Sequence, residues 1–248
     1  LYPINKIIKN TNFKNYYILN KYSYSDNINY KHIDYISDYL KYYIKNNIKN
    51  LNVYELENNT KIYIYFNNDK YKNKINKIIN KLIKCYNLFI LYFNKKENRN
   101  IYVYLTPFRK QLNINLINNN SLYYENINSG FTISSDNDIV IYRLEELEKV
   151  LLHELVHSYK IDNNIGKIYL DMNINKKLNL YETFTEIIAE ILYFNYLNLE
   201  YNINLEEILK LELKFSVFQT IKYLKFFNYD KIHHLLYKNN KQYYNDES

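Results

Sequence analysis

The residues with the clearest chemical capacity are His153, Glu154 and His157, in the run Val150-Leu151-Leu152-His153-Glu154-Leu155-Val156-His157. On a helix, imidazoles four residues apart lie on one face, one turn from each other, and can share one cation. Imidazole nitrogen suits Zn2+, and a carboxylate beside the first imidazole can take a proton from a water that the cation activates. The chemistry this spacing offers is hydrolysis. Two core histidines of a buried helix are the plainer reading, but a chain with five histidines rarely produces this pattern by chance.

The pattern needs a helix to work, and the surrounding residues supply one. Leu144, Leu147, Leu151 and Leu155 recur at three- and four-residue steps, which predicts a helix over 144–159 with a buried face. Glu145, Glu146 and Glu148 fall in its first turns, where the helix dipole favours negative charge.

Zinc needs a third protein ligand. In Leu180-Tyr181-Glu182-Thr183-Phe184-Thr185-Glu186-Ile187-Ile188-Ala189-Glu190, the acids Glu182, Glu186 and Glu190 share one helical face among apolar neighbours. Acids in such a setting are costly unless paired or metal-bound. A polar stripe in an amphipathic bundle is the competing reading.

H-E-L-V-H followed by this acidic helix resembles the zincin metallopeptidases, in particular the gluzincin branch. The resemblance spans about 144–195. It implies an α+β, zincin-like fold, a Zn2+ cofactor held by His153, His157 and a downstream glutamate, and Glu154 as general base. It further implies a protease of the kind that cuts within chains, whose protein or peptide substrate pairs with an edge strand inside 131–142. Glu182 and Glu186 follow His157 by 25 and 29 residues, both inside the family's range. Glu182-Thr183-Phe184-Thr185 is similar to the N-E-G-F-A/T pattern of many gluzincins, with Tyr181 for Asn and Thr183 for Gly. Glu186-Ile187-Ile188-Ala189-Glu190 is similar to the E-x-x-A-E of lethal-factor-like toxins. The first match makes Glu182 the ligand with Glu186 as its supporting carboxylate; the second makes Glu186 the ligand, supported by Glu190. The first is the preferred reading and the second its alternative. The metzincin third histidine is absent from 159–167. Tyr159, Tyr169, Tyr181, His233 and His234 are candidates for an oxyanion-stabilising group, and His32 is read as a surface or core residue.

The rest of the chain bounds this reading. Its 248 residues are 47% hydrophobic and 24% charged, enough for a core. It has 32 Tyr but only 2 Gly and 2 Pro, and Asn, Lys and Ile are abundant. These residues have A/T-rich codons, so the source reads as an AT-rich genome: a large DNA virus, a parasite or an organelle. Asn is expected at turns that Gly and Pro usually fill. The net charge of +7 is uneven: residues 1–100 carry 18 basic against 7 acidic side chains, and the remainder 15 against 19. A nucleic acid or other anionic partner for the basic part is an open reading, with lysine-rich solvated faces as the preferred one.

The single cysteine, Cys85, excludes an internal disulfide framework and sits in an apolar run. No signal-peptide pattern and no transmembrane segment is read, which favours an intracellular or virion-associated protein. The opening at Leu1 reads as a fragment or processed form.

Periodicity predicts an irregular stretch over 1–25, a helix over Tyr30–Ile48, strands over Leu51–Leu56 and Lys61–Phe66, and a turn at 67–69. A helix from Lys70 to Tyr92 and a strand over Ile101–Leu105 follow. A hairpin at 112–117 and 121–124, strands at Phe131–Ser134 and Ile139–Tyr142, and helices at 144–159, 178–199, 204–227 and 229–238 complete the order. The expected architecture is a small mixed sheet layer with helices over the His-bearing helix and a helical C-terminal half. The divisions are a mostly helical segment 1–58 and a zincin-like domain 59–248. Two further readings compete with a peptidase: a zincin-fold binding or structural subunit that no longer cuts, and a basic nucleic-acid-binding or assembly protein.

Overall fold

A computed structural model describes residues 17–25, 28–67, 71–110, 128–163, 180–226 and 229–230. The chain is mixed α+β. Six strands form one sheet: β1 (Ile18–Tyr24), β2 (Asn50–Leu56), β3 (Lys61–Phe66), β4 (Asn100–Tyr104), β5 (Gly130–Ile133) and β6 (Asp138–Ile141), in the order β1-β2-β3-β4-β6-β5. β3, β4 and β6 run parallel, and the remaining pairs are antiparallel. The helices are α1 (Asp38–Asn47), α2 (Ile75–Phe93), α3 (Leu147–Ser158), α4 (Leu180–Tyr201) and α5 (Leu205–Phe226).

Alternation along the strands gives the sheet two faces. One presents Tyr54, Leu56, Ile62, Ile64, Phe66, Ile101, Val103, Ile139 and Ile141 to α2, α3 and α4, and this is the main core. The stripe of α2 that meets it is Ile75, Ile79, Leu82, Cys85, Tyr86 and Phe89, at helical spacing. The outer face presents Leu51, Val53, Tyr65, Tyr102, Tyr104, Val140 and Tyr142, covered in part by Ile33, Ile36, Leu40, Ile44 and Ile48. Cys85 is fully buried, and burial pushes its thiol pKa well up. No helix among the described residues is long and apolar enough to cross a membrane.

Asn does occupy turn positions. Asn59, Asn94, Asn137 and Asn202 all hold positive φ, a conformation Asn tolerates better than most residues. Asn94 ends α2, its amide donating to the carbonyls of Ile90 and Leu91.

Two expectations are corrected. Residues 18–24 are a strand rather than irregular; every residue of β1 is exposed, so no buried periodicity marks it. The helix expected over Tyr30–Ile48 is confined to Asp38–Asn47. Ahead of it His32 is left-handed, 33–35 is a 3-10 turn and Ile36 is extended, although the predicted stripe residues Ile33, Ile36, Leu40, Ile44 and Ile48 are all buried. A boundary at 58/59 falls in the turn between β2 and β3, which pair along their whole length, so β1 and β2 belong to the same sheet as the rest. The hairpin expected within 112–124 lies outside the described residues, as does 231–238 of the last expected helix.

Candidate metal centre

α3 starts later than its leucine pattern predicts. Glu146 is left-handed and caps it, its carbonyl accepting the amide of Val150, and of the three glutamates only Glu148 lies in the first turn. Leu147, Leu151, Leu152, Leu155 and Val156 are buried against the sheet and α2. Lys81 of α2 pairs with Glu148. The C-terminal end is fixed more firmly. The buried Arg99 guanidinium donates from Nε to Ser158 Oγ at 2.6 Å and from Nη2 to the Ser158 carbonyl at 3.1 Å, and lies 3.7 Å from the Tyr159 ring centroid. A cation there also complements the helix dipole. The Tyr159 hydroxyl donates to the Glu97 carbonyl at 2.5 Å.

This anchoring sets His153 and His157 side by side. Their Nε2 atoms are 3.1 Å apart. Glu182 arrives from α4: one of its carboxylate oxygens is 3.3 Å from His153 Nε2 and the other 3.5 Å from His157 Nε2. The opposite ring nitrogens are held by other acids. His153 Nδ1 donates to Glu186 at 3.0 Å, and His157 Nδ1 donates to the buried Asp162 at 2.5 Å. Holding each Nδ1 proton orients the rings so that Nε2 is the nitrogen that a cation would take once its proton is displaced. Glu186 also pairs with Lys149, as does Glu190 at 3.0 Å.

The three nearest groups, His153, His157 and Glu182, fit zinc. Each offers one ligand atom, and these lie within 4.8 Å of one another; the imidazole nitrogens are 3.1 Å apart, and different Glu182 oxygens approach the two rings. A nitrogen–nitrogen–carboxylate donor set also suits that ion. Of the alternatives open from sequence, Glu182 faces the Nε2 side, whereas Glu186 faces Nδ1 of His153.

The electrostatics follow. Burial alone would lower the pKa of His153, but its bonds to Glu182 and Glu186 and the charge of Glu154 outweigh that and hold it up to about 10. His157 is also raised: burial opposes, while Glu182 and the Glu154 charge prevail. The two imidazoles hold Glu182 well below the carboxylate range. Burial would raise Glu186, yet its bonds from His153 and Lys149 lower it to about 2.

Glu154, between the two histidines in sequence, is held from β5 by a bond from Thr132 at 2.8 Å. It is 6% exposed, and burial raises its pKa despite the two nearby imidazoles and a bond from Thr132. Thr132 on β5 reaches it because Gly130 lets strand and helix approach. A Cβ on Gly130 would lie 2.8 Å from the Val140 carbonyl oxygen, 3.0 Å from Val150 Cγ1 and 3.5 Å from Glu154 Cγ.

Asp162, Thr132 and Lys149 were not singled out by sequence. Asp162 follows His157 by five residues, a spacing that could have marked it. Of the oxyanion candidates, Tyr159 is committed to the end of α3 and the Tyr181 hydroxyl donates to Asn163 Oδ1 at 2.6 Å; Tyr169, His233 and His234 lie outside the described residues. His32 belongs to the outer face, bonded to Asp138 at 2.7 Å and edge-on to Tyr102. With Asp136, His32 and Asp138 form a second His/Asp group, in which Asn100 occupies the other Asp138 oxygen at 2.9 Å.

No family model and no solved structure matches the chain. It is 30% identical over 113 residues to an uncharacterized protein, R210, of Acanthamoeba polyphaga mimivirus. The match covers 41% of this chain and 29% of that protein, so the chain aligns with less than a third of its relative's length.

Proposed function

We propose that the chain is a zinc-dependent peptidase with a zincin-like fold of the gluzincin kind. The observation that carries this reading is the convergence of His153, His157 and Glu182, whose ligand atoms lie within 4.8 Å of one another, a donor set that suits zinc. His153, His157 and Glu182 would hold the ion, with Glu186 and Asp162 fixing the two rings. Zinc, when bound, supplies a Lewis acid that acidifies a water and polarises a carbonyl.

Glu154 is the general base. Its carboxylate takes the proton of the attacking water and delivers it to the leaving amine nitrogen. Burial holds its pKa above the usual carboxylate range, which brings it closer to neutrality and strengthens it in both roles. Thr132 fixes one carboxylate oxygen. β5 lies at the edge of the sheet beside α3 and pairs only with β6 among the described residues. An extended peptide adding to such an edge binds through its backbone with little demand on its sequence.

The test is elemental analysis of the purified chain together with a peptide-library cleavage assay. Stoichiometric zinc and cleavage are expected, and Glu154→Gln keeps the zinc and loses cleavage. Zinc without turnover on any peptide points instead to a binding subunit of the same fold, and a chain that takes up no zinc overturns both.

A further inference from the structure

The outer face of the sheet carries an aromatic ladder with one rung missing. In register, Tyr22 of β1 lies beside Val53 of β2, Val53 beside Tyr63 of β3, and Tyr63 beside Tyr102 of β4. Tyr63 and Tyr102 stack with centroids 4.6 Å and planes 14° apart, which is one strand spacing of about 4.8 Å. Val53 interrupts the stack. Over it a cavity of about 460 Å3 opens, lined by Tyr22, Val53, Tyr63, Tyr102, Lys31 and Lys61 among others. A planar ring seated over Val53 would lie one strand spacing from Tyr63 and one from Tyr22, extending the stack that Tyr102 begins.

The neighbouring row does not open in this way. Tyr65 and Tyr104 stack at 4.4 Å, and their hydroxyls donate to the carbonyls of Asn29 at 3.0 Å and Lys31 at 2.6 Å. These bonds fasten the 29–31 segment over the sheet and build one wall of the cavity. They also carry the Lys31 side chain to its rim.

The occupant must offer two flat faces and negative charge outside them. Lys31 is exposed and has no acidic partner among the described residues. Lys61 stands on the same strand face as Tyr63 and shares Glu55 at 3.7 Å. Residues 1–100 carry an excess of 11 positive charges. A peptide aromatic side chain would satisfy the slot but brings an anion to the lysines only where an acidic residue adjoins it. A nucleobase on its sugar-phosphate chain satisfies both, by stacking and by charge.

We propose that this cavity binds single-stranded nucleic acid, one base inserted between Tyr22 and Tyr63 over Val53 with adjoining phosphates at Lys31 and Lys61. The site is independent of the candidate metal centre, which lies across the sheet.

The test is fluorescence anisotropy on the full chain at low salt, with labelled ten-nucleotide single strands of DNA and RNA and a duplex of the same sequence. Circular dichroism and thermal unfolding check that each variant folds. Single strands are expected to bind more tightly than duplex. Tyr22→Ala removes the outer wall and Val53→Tyr supplies the missing ring from within, and each should weaken single-strand binding about ten-fold or more. Tyr22→Phe keeps the ring and should bind like the parent, while Lys31→Ala should reduce the salt slope by about one. Should Val53→Tyr fail to fold, Tyr22→Ala on the exposed edge strand decides. No binding, equal preference for duplex, or binding unmoved by Tyr22→Ala overturns the proposal.

Discussion

The Thr132 hydroxyl lies 2.8 Å from Oε2 of Glu154 and 3.0 Å from the Glu154 carbonyl oxygen. One hydroxyl proton serves two acceptors, so either the bond is shared or a protonated Glu154 donates to Thr132 while Thr132 donates to the carbonyl. In both cases β5 fixes the orientation of the acid on α3. Thr132→Val keeps the shape of the side chain and removes the hydroxyl. Because the Thr132 bond lowers the Glu154 pKa against its burial, its loss moves the acidic limb of the kcat/KM profile to higher pH. Turnover at neutral pH falls by about ten-fold or more, in line with a hydrogen bond to a charged group. Unchanged zinc content alongside the shifted profile distinguishes this from disruption of the metal site.

Asp162 is 2% exposed and holds His157 Nδ1. Thr185 of α4 donates to the same oxygen at 3.4 Å, so the acid also links the loop after α3 to the helix that carries Glu182. Losing such a partner typically costs 10- to 100-fold in metal affinity. Competition with a chromophoric chelator should show a drop of about that size for Asp162→Ala and a smaller one for Asp162→Asn. An Asp162→Ala variant that holds zinc as tightly as the parent would remove the orienting role.

Glu182 and Glu186 separate under the same assay. Glu182 faces both Nε2 atoms, and Glu186 faces His153 Nδ1 and Lys149. Glu182→Ala should leave the purified chain without stoichiometric zinc. Glu186→Ala should retain it with weakened affinity. The reverse pattern would reassign the third ligand to Glu186.

These two acids explain what the sequence could carry and what it could not. Periodicity located α3 and the strands β2, β3, β4, β5 and β6, because each buries a face whose spacing is visible in the chain: Leu147, Leu151 and Leu155, or Ile62 and Ile64. It placed His153 and His157 on one side of a helix for the same reason. It could not choose between Glu182 and Glu186, since residues four apart share a helical face and differ only in which ring nitrogen they meet. β1 escaped because its exposed residues pack on nothing that leaves a pattern. Periodicity overextends the 30–48 helix because Ile33 and Ile36 keep helical spacing while His32 and Ile36 leave helical conformation. Asp162 and Thr132 act through contacts between a loop or strand and α3, and no one-dimensional spacing records those.

Metal uptake should release protons. In the metal-free site the His153 pKa is raised to about 10, above the usual value for histidine, so at neutral pH the imidazolium form prevails and a cation must displace its proton. The sign is fixed by the direction of the shift: zinc affinity rises as pH climbs toward 10 and falls below neutrality. Calorimetric titration in two buffers of different ionisation enthalpy reads the number of protons released. Affinity that is flat between pH 6 and 9 would contradict the ionic site described here.

Gly130 is required for space rather than for backbone freedom. A Cβ there would meet the Val140 carbonyl at 2.8 Å and Val150 Cγ1 at 3.0 Å, and the first of these is backbone of the paired strand. Gly130→Ala therefore forces β5 away from β6 or from α3. Overpacking of this kind costs about 1–3 kcal/mol, which for a chain of this size lowers Tm by several degrees. The displacement also carries Thr132, two residues along the strand, away from Glu154. The variant should thus combine a lower Tm with the same upward shift of the acidic pH limb that Thr132→Val produces, while still binding zinc through His153, His157 and Glu182. A Gly130→Ala chain with parental Tm and pH profile would mean that β5 does not press on α3 as closely as the Gly130–Val150 contact requires.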